Sequence, residues 1–232
     1  MNIKDVVNTA LNEVGYQGER LNSKYSIYMD KYKYYNQPKA GACTWCCIFV
    51  DYLCLVNNDN KVDETRSIVC EPNKDNCGAG ASWKANYFKE KKRWYEHKAR
   101  GCPAQIGDQI FFKKSNGSIY HCGIVVDWNS SGLYTVEGST DGGKVSKRFY
   151  SYSDSKIAGY GRPDYYKYQE TNGSNGKETE DHAALIKRLA KDCIEGKYGN
   201  GLTRKQRING LGYGAIYTEV QNCVNLMLRG IV

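Results

Sequence analysis

The sequence predicts an α+β fold, with N-terminal helices packed on an antiparallel β-sheet, followed by a small three-helix domain. Three observations carry this. Apolar residues recur at helical spacing in the first third of the chain, while after Gly107-Asp108 the pattern changes to short β-branched and aromatic runs parted by Asn-Gly, Ser-Gly and Gly-Gly turns. A polar, glycine-containing stretch, Glu170-Thr-Asn-Gly-Ser-Asn-Gly-Lys-Glu-Thr-Glu180, then separates a final helical segment from the rest. Helices first and strands afterwards place helices on one face of a meandering sheet.

Taken in order, Ile3, Val6, Val7, Ala10, Leu11 and Val14 form one helical face, and Gly15 stops it. Residues 16–38 are polar and aromatic and read as a long irregular lead, most structured around Ser23-Lys-Tyr-Ser-Ile-Tyr-Met-Asp30. Residues 45–56 are apolar nearly all round, the mark of a buried helix, which Asn57-Asn-Asp-Asn60 ends. Over 61–105 one helix is expected at about 82–91, with Ala81, Ala85 and Phe88 on its inner side, and loop elsewhere. Strands are expected at 109–113, 122–128, 134–137, 144–150 and 157–161. Beyond a linker at 167–180, Leu185, Ile186, Leu189, Ala190 and Ile194 make a helical face, Gly196-Lys-Tyr-Gly-Asn-Gly201 interrupts it, and helices follow at about 203–209 and 216–228. The expected domains are therefore 1–166 and 181–232.

Composition narrows the function classes. No apolar run approaches the roughly 18 residues that cross a bilayer, so membrane insertion is not expected. Met1-Asn-Ile-Lys-Asp-Val lacks the basic region and apolar core of an export signal, so synthesis in the cytoplasm without a signal peptide is the expectation. The net charge of +8 suits an acidic partner, but residues 167–232 carry ten Lys/Arg against seven Asp/Glu and the densest basic run is Lys89-Glu-Lys-Lys-Arg93. That distribution does not describe a nucleic-acid-binding surface. Twenty tyrosines lean toward a surface for sugars or peptides. Of ten cysteines, most read as buried thiols in a reducing compartment, with Cys70 and Cys77 able to close a local disulfide in an oxidising one. Cys43 and Cys46 form a Cys-x-x-Cys, yet no second pair stands at matching spacing, so neither a metal nor another cofactor is expected.

The chemistry centres on Gly41-Ala-Cys-Thr-Trp-Cys-Cys-Ile-Phe-Val-Asp-Tyr52. Cys46 falls in the first turn of the buried helix, where unpaired N–H groups and the positive end of the helix dipole favour a thiolate. Three histidines compete for the role of base. His97 lies among charged residues and reads as solvated surface, and His182 lies across the linker. His121 opens the strand Tyr120-His-Cys-Gly-Ile-Val-Val-Asp127, and a hairpin through Ser130-Ser-Gly132 returns Glu137 to its level. A carboxylate on one ring nitrogen fixes the tautomer and leaves the other nitrogen to take the thiol proton.

The ordered segments Trp45-Cys-Cys-Ile-Phe-Val50, Gly107-Asp-Gln-Ile-Phe-Phe112, His121-Cys-Gly-Ile-Val-Val126 and Thr135-Val-Glu-Gly-Ser139, with a closing Ile157-Ala-Gly-Tyr-Gly-Arg-Pro163, resemble the CHAP family of papain-like (NlpC/P60 superfamily) peptidoglycan hydrolases. The resemblance covers about 1–166 and implies Cys46 as nucleophile, His121 as base and Glu137 as orienting acid, with Cys47 buried and outside the chemistry. The family commonly has Asn where Ser139 stands, which makes Ser139 the candidate for a fourth polar role. The oxyanion site includes the Cys46 backbone N–H, with Tyr25 as the candidate side-chain donor. Some members bind calcium through an acidic loop ahead of the cysteine; only Asp30 lies there in this chain, so no such site is expected.

The stretch Leu189-Ala-Lys-Asp-Cys-Ile-Glu-Gly-Lys-Tyr-Gly-Asn-Gly201, with Arg204, Gly212-Tyr213 and Val220-Gln-Asn-Cys-Val-Asn225, resembles one repeat of the Cpl-7 type cell-wall-binding module, whose ligand is muropeptide. The resemblance implies wall contacts by Lys197, Tyr198, Asn200, Arg204 and Tyr213, and departs from the family at Gly214, where Asp is common. Arg204 would offer its planar fork to a peptide-stem carboxylate and Tyr198 a ring to a sugar. Together the two resemblances imply a phage-type endolysin: an amidase or endopeptidase that waits in the host cytoplasm and acts on the wall after release. A non-catalytic wall-binding protein and a cysteine peptidase acting on proteins are the rival readings. Association of chains through the C-terminal domain is left open.

Overall fold

The computed structural model describes residues 1–100, 102–129, 131–167, 182–210, 213 and 216–230. The chain divides into two compact units, Met1–Gln169 and Glu170–Val232. The linker expected at 167–180 lies, beyond Lys167, outside the described residues.

In the first unit α1 (Ile3–Asn12) is capped by Asn2, whose side chain accepts the Lys4 N–H at 2.9 Å, and it buries Val6, Val7 and Ala10. The lead expected to be irregular contains a helix, α2 (Lys24–Lys31), started by the Ser23 hydroxyl accepting the Ser26 N–H at 3.1 Å. Its inner side is Tyr25, Ser26 and Met29, a stripe that polar and aromatic composition conceals. The buried helix α3 (Cys46–Val56) follows the expected course and carries nine buried residues of its eleven. A further helix, α4 (Val62–Ile68), occupies a stretch expected to be loop. It buries Arg66, whose Nε donates to the Tyr34 carbonyl at 2.9 Å, so a cation stands where a periodicity argument looks for an apolar residue. Helix α5 (Ala81–Glu90) completes the layer.

The sheet has six strands, β1 (Trp94–Glu96), β2 (Gln109–Lys113), β3 (Ile119–Trp128), β4 (Gly132–Thr140), β5 (Lys144–Ser151) and β6 (Ile157–Gly161), in the order β1-β6-β2-β3-β4-β5 and antiparallel throughout. The fold is thus α+β, but the sheet is not a plain meander: β6 returns to pair with β2, and the three-residue β1 adds to its outer edge. Alternate residues serve two cores. Phe111, Cys122, Ile124, Val126 and Val136 join the core shared with the helices, while Ile110, Phe112, Val125 and Leu133 pack on the opposite face.

Inside the helical layer lies a buried ionic cluster. Lys84 of α5 meets Asp51 of α3 and the Glu71 carboxylate, the latter at 2.5 Å. Tyr35 donates to Asp51 at 2.6 Å and Tyr34 to Glu71 at 2.7 Å. Burial and the adjacent Glu71 push Asp51 up to about 8 against the pull of Lys84. Burial opposes the charge on Lys84, yet Asp51 and Glu71 outweigh it and hold Lys84 well above its ordinary value. The cluster pins the middle of α3, and with it the position of the helix start.

The described elements of the second unit are α6 (His182–Ile194), α7 (Gly201–Gly210) and α8 (Tyr217–Leu228). Leu189, Ala190, Cys193, Ile208, Ile216, Val220 and Val224 form its core. Ile194, expected on the inner face, is exposed, and Cys193 takes that place. Gly196 and Gly199 sit at φ of 78° and 70°, a left-handed backbone that ends α6 and that side chains disfavour.

Candidate functional site

Cys46 is the first residue of α3, so its own N–H has no acceptor within the helix. The helix start is fixed by Trp45, fully buried, whose Nε1 donates to the Glu19 carbonyl at 2.8 Å. It is fixed also from the sheet, because Gly138 of β4 lies so close that a Cβ there would stand 2.5 Å from Phe49 Cβ. The loop ahead of Cys46 is held by Asp30, whose carboxylate accepts the Lys39 and Ala40 N–H groups at 2.8 Å each.

His121 and Glu137 come together from neighbouring strands. His121 Nε2 lies 2.9 Å from Glu137 Oε2, and Thr135 donates its hydroxyl to Glu137 Oε1 at 2.6 Å. The register is not the level pairing that the hairpin alone suggests. Ile124 faces Val136, so one step further Gly123, two residues past His121, comes level with Glu137. The carboxylate therefore reaches diagonally, and it does so over a glycine: a Cβ on Gly123 would stand 2.5 Å from Glu137 Cγ and 3.0 Å from the Val136 carbonyl oxygen. Gly123→Ala is expected to push Glu137 off the ring, lower the imidazole pKa and slow any chemistry at this site by roughly 10²-fold. An unchanged His121 titration by NMR would show that the glycine has no such part.

With Nε2 committed to Glu137, Nδ1 remains for the sulfur, and Cys46 and His121 each act on the other's titration. Burial works against a charged ring, but the bonds to Cys46 and Glu137 outweigh it and push His121 up to about 9. Hydrogen bonds with Cys122 and then Cys47 hold the Cys46 thiol well below its ordinary value against burial, and His121 adds to them. Both shifts favour a thiolate–imidazolium pair. Phe112 and Tyr120 flank the imidazole with ring centroids 5.7 and 6.1 Å away, and Tyr120 is half exposed. Thr135, Cys122 and Gly123 were not singled out from sequence. The two-residue spacing of Thr135 and Glu137 along one strand face is the signal that could have found Thr135.

Other candidates fall elsewhere. The Tyr25 hydroxyl donates to Glu13 at 2.7 Å, so that hydrogen is already committed. Ser139 follows the triad segment at φ 57°, beside the bulge that interrupts the pairing of β4 with β5. His97, read as solvated surface, is half-buried and its Nδ1 lies 2.8 Å from the Tyr160 hydroxyl. All ten cysteines are thiols, Cys70 and Cys77 included. A surface hollow of about 730 Å³ lined by Arg66, Glu71, Arg93 and Asp164 contains none of Cys46, His121 or Glu137.

In the second unit several of the predicted wall-contact residues make hydrogen bonds within the unit. Asp192 gathers Lys197 at 2.6 Å and Tyr198 at 3.3 Å, and Lys197 holds its carboxyl below the ordinary value. Arg204 donates to the Gly199 carbonyl, Asn200 and Gln221 at 3.0, 3.0 and 3.3 Å, tying α7 to the preceding loop and to α8. Tyr213 is half-buried against the core. Arg204 and Lys197 thus also tie segments of the unit to one another.

No curated protein matches the chain. Among solved structures, one described as "The crystal structure of Ly7917" is similar, at 14% identity and a TM-score of 0.44, covering 70% of this chain and 62% of that one. The chain thus spans less than two thirds of that protein's length. The family model of the CW_7 repeat matches residues 187–228, which supports a cell-wall-binding repeat of the Cpl-7 type in this part of the chain.

Proposed function

We propose that the chain is a phage-type endolysin, in which a CHAP-like cysteine hydrolase spanning the first unit cuts an amide of peptidoglycan and the CW_7 repeat holds it at the wall. One observation carries the reading: His121 stands between the Glu137 carboxylate and the sulfur of a helix-opening cysteine. The repeat at 187–228 supplies the substrate class. In this reading the Cys46 thiolate attacks the amide carbonyl and the developing oxyanion takes up the Cys46 N–H at the helix start. His121 gives its proton to the leaving amine, then takes one from the water that cleaves the acyl-enzyme, while Glu137 and Thr135 keep its ring in line. Tethering by the repeat raises the local concentration of the hydrolase at its polymer. No described helix is long and apolar enough to cross a membrane; synthesis in the host cytoplasm and action after release complete the proposal.

Mass spectrometry of purified walls digested by the full chain tests it. Free muramyl lactyl carboxyls mark N-acetylmuramoyl-L-alanine amidase action, and new peptide amines without them mark endopeptidase action. Wall lysis by Cys46→Ala at the wild-type rate would sink the mechanism, and lysis by neither protein would leave a wall-binding protein without this chemistry.

A further inference from the structure

Two thiols beside the nucleophile take no chemical step in the reaction just described. Cys47, next on α3, and Cys122, next to His121 on β3, are fully buried and bring their sulfurs to Cys46. Cys122 Sγ lies 3.2 Å from Cys47 Sγ, Cys47 Sγ lies 4.0 Å from Cys46 Sγ, and all three fall within 4.8 Å of one another. Packing alone asks only for small apolar side chains at 47 and 122, and it gives no reason for three sulfurs to converge on one point.

The distances suit a metal ion. A zinc–sulfur bond of about 2.3 Å sets sulfurs about 3.8 Å apart at the corners of a tetrahedron, and 3.2 and 4.0 Å bracket that value. The three sulfurs supply three of the four donors of a tetrahedral ion, and His121 stands outside the group. Cys43, the other half of the Cys-x-x-Cys, stands outside the group. Entry is by the Cys46 and His121 side, since Cys46 keeps 6% of its surface exposed while Cys47 and Cys122 keep none.

We propose that Cys46, Cys47 and Cys122 form a three-thiolate site for a single thiophilic divalent ion such as zinc, and that its occupancy silences the hydrolase. A ligated Cys46 sulfur has its lone pair on the metal and cannot attack an amide carbonyl. The silencing rests on the hydrolase reading, whereas the ion site does not.

The full chain, stripped with a chelator and kept under a non-thiol reductant, is titrated with cadmium, and the ultraviolet thiolate-to-cadmium charge-transfer band is followed. Native mass spectrometry with zinc counts the ions. One ion per chain with a thiolate band is expected, and Cys122→Ser and Cys47→Ser are each expected to weaken binding by at least about 10-fold, with circular dichroism confirming their fold. Zinc is expected to stop wall lysis by the wild type and the chelator to restore it. Absence of a band in the wild type, or wild-type affinity in both variants, overturns the site. Binding that depends on Cys47 and Cys122 while zinc leaves lysis untouched overturns the silencing. A chain that binds one ion in this way yet lyses no wall in any state upholds the site and overturns the hydrolase reading instead.

Discussion

His121→Ala is expected to lower wall hydrolysis by about 10² to 10⁴-fold, the range a positioned general acid–base supplies. The loss is compound. The ring delivers the proton to the leaving amine, and its charge stabilises the Cys46 thiolate to which it is bonded. The same pair fixes the pH profile. His121 is pushed up to about 9, so its imidazolium persists through neutral pH and is lost as pH rises through about 9. Activity is therefore expected to fall on an alkaline limb near that value. Glu137→Gln removes the carboxylate that favours the charged ring, and the limb is expected to move to lower pH as well as lose height. An alkaline limb that stays in place in Glu137→Gln while the rate falls would mean that Glu137 acts only by supporting the strand. Since the folded-state pKa of His121 lies above the ordinary 6.5, its contribution to stability is full below that value and is lost as pH rises through about 9.

Lys84→Met is expected to destabilise the first unit by about 3 to 5 kcal/mol, the cost of leaving buried charge without its partner. Lys84 is fully buried and stands between Asp51 and Glu71. Without it, two carboxyls remain in a dry interior, with Tyr35 and Tyr34 still donating to them. Urea unfolding monitored by tryptophan fluorescence measures the effect, and a loss below about 1 kcal/mol would show the cluster to be open to water. The sign of the pH dependence is also fixed. Carboxyls without the ammonium are tolerated only when protonated, so the variant is expected to lose least in mild acid and most above pH 8, where even the wild-type Asp51, pushed up to about 8, gives up its proton. Asp51→Asn in the same chain is expected to recover part of the loss. Because Asp51 lies on α3 with Cys46 at its start, the single variant is also expected to slow hydrolysis in the fraction that remains folded.

Much of the fold was legible because periodicity records burial directly. The alternation of Phe111 with Ile110 and Phe112, and of Ile124 with Val125, marks strands buried on both faces. The all-round apolar run of α3 marks a helix enclosed by its neighbours. Helices α2 and α4 escaped the same reasoning because their inner residues include Tyr25, Ser26, Thr65 and Arg66, polar groups that find hydrogen-bond partners inside the fold. Arg66 is acceptable inside because the Tyr34 carbonyl, thirty-two residues away, receives its N–H. Strand β1 is three residues long and has no period to read.

By itself the sequence determined the order of helices and strands, the place of Cys46 at a helix mouth, and the pairing of His121 with Glu137, since each depends on local pattern or on one short hairpin. Only the tertiary structure decided how the pieces meet. The diagonal reach of Glu137 over Gly123, the hold of Thr135 on its second oxygen, the burial of Lys84 between two carboxyls and the gathering of Cys46, Cys47 and Cys122 all join residues from different elements. Such meetings follow from sheet register and from the depth at which α3 packs on β3 and β4. Those quantities are set by the summed packing of the whole unit and leave no periodic trace along the chain.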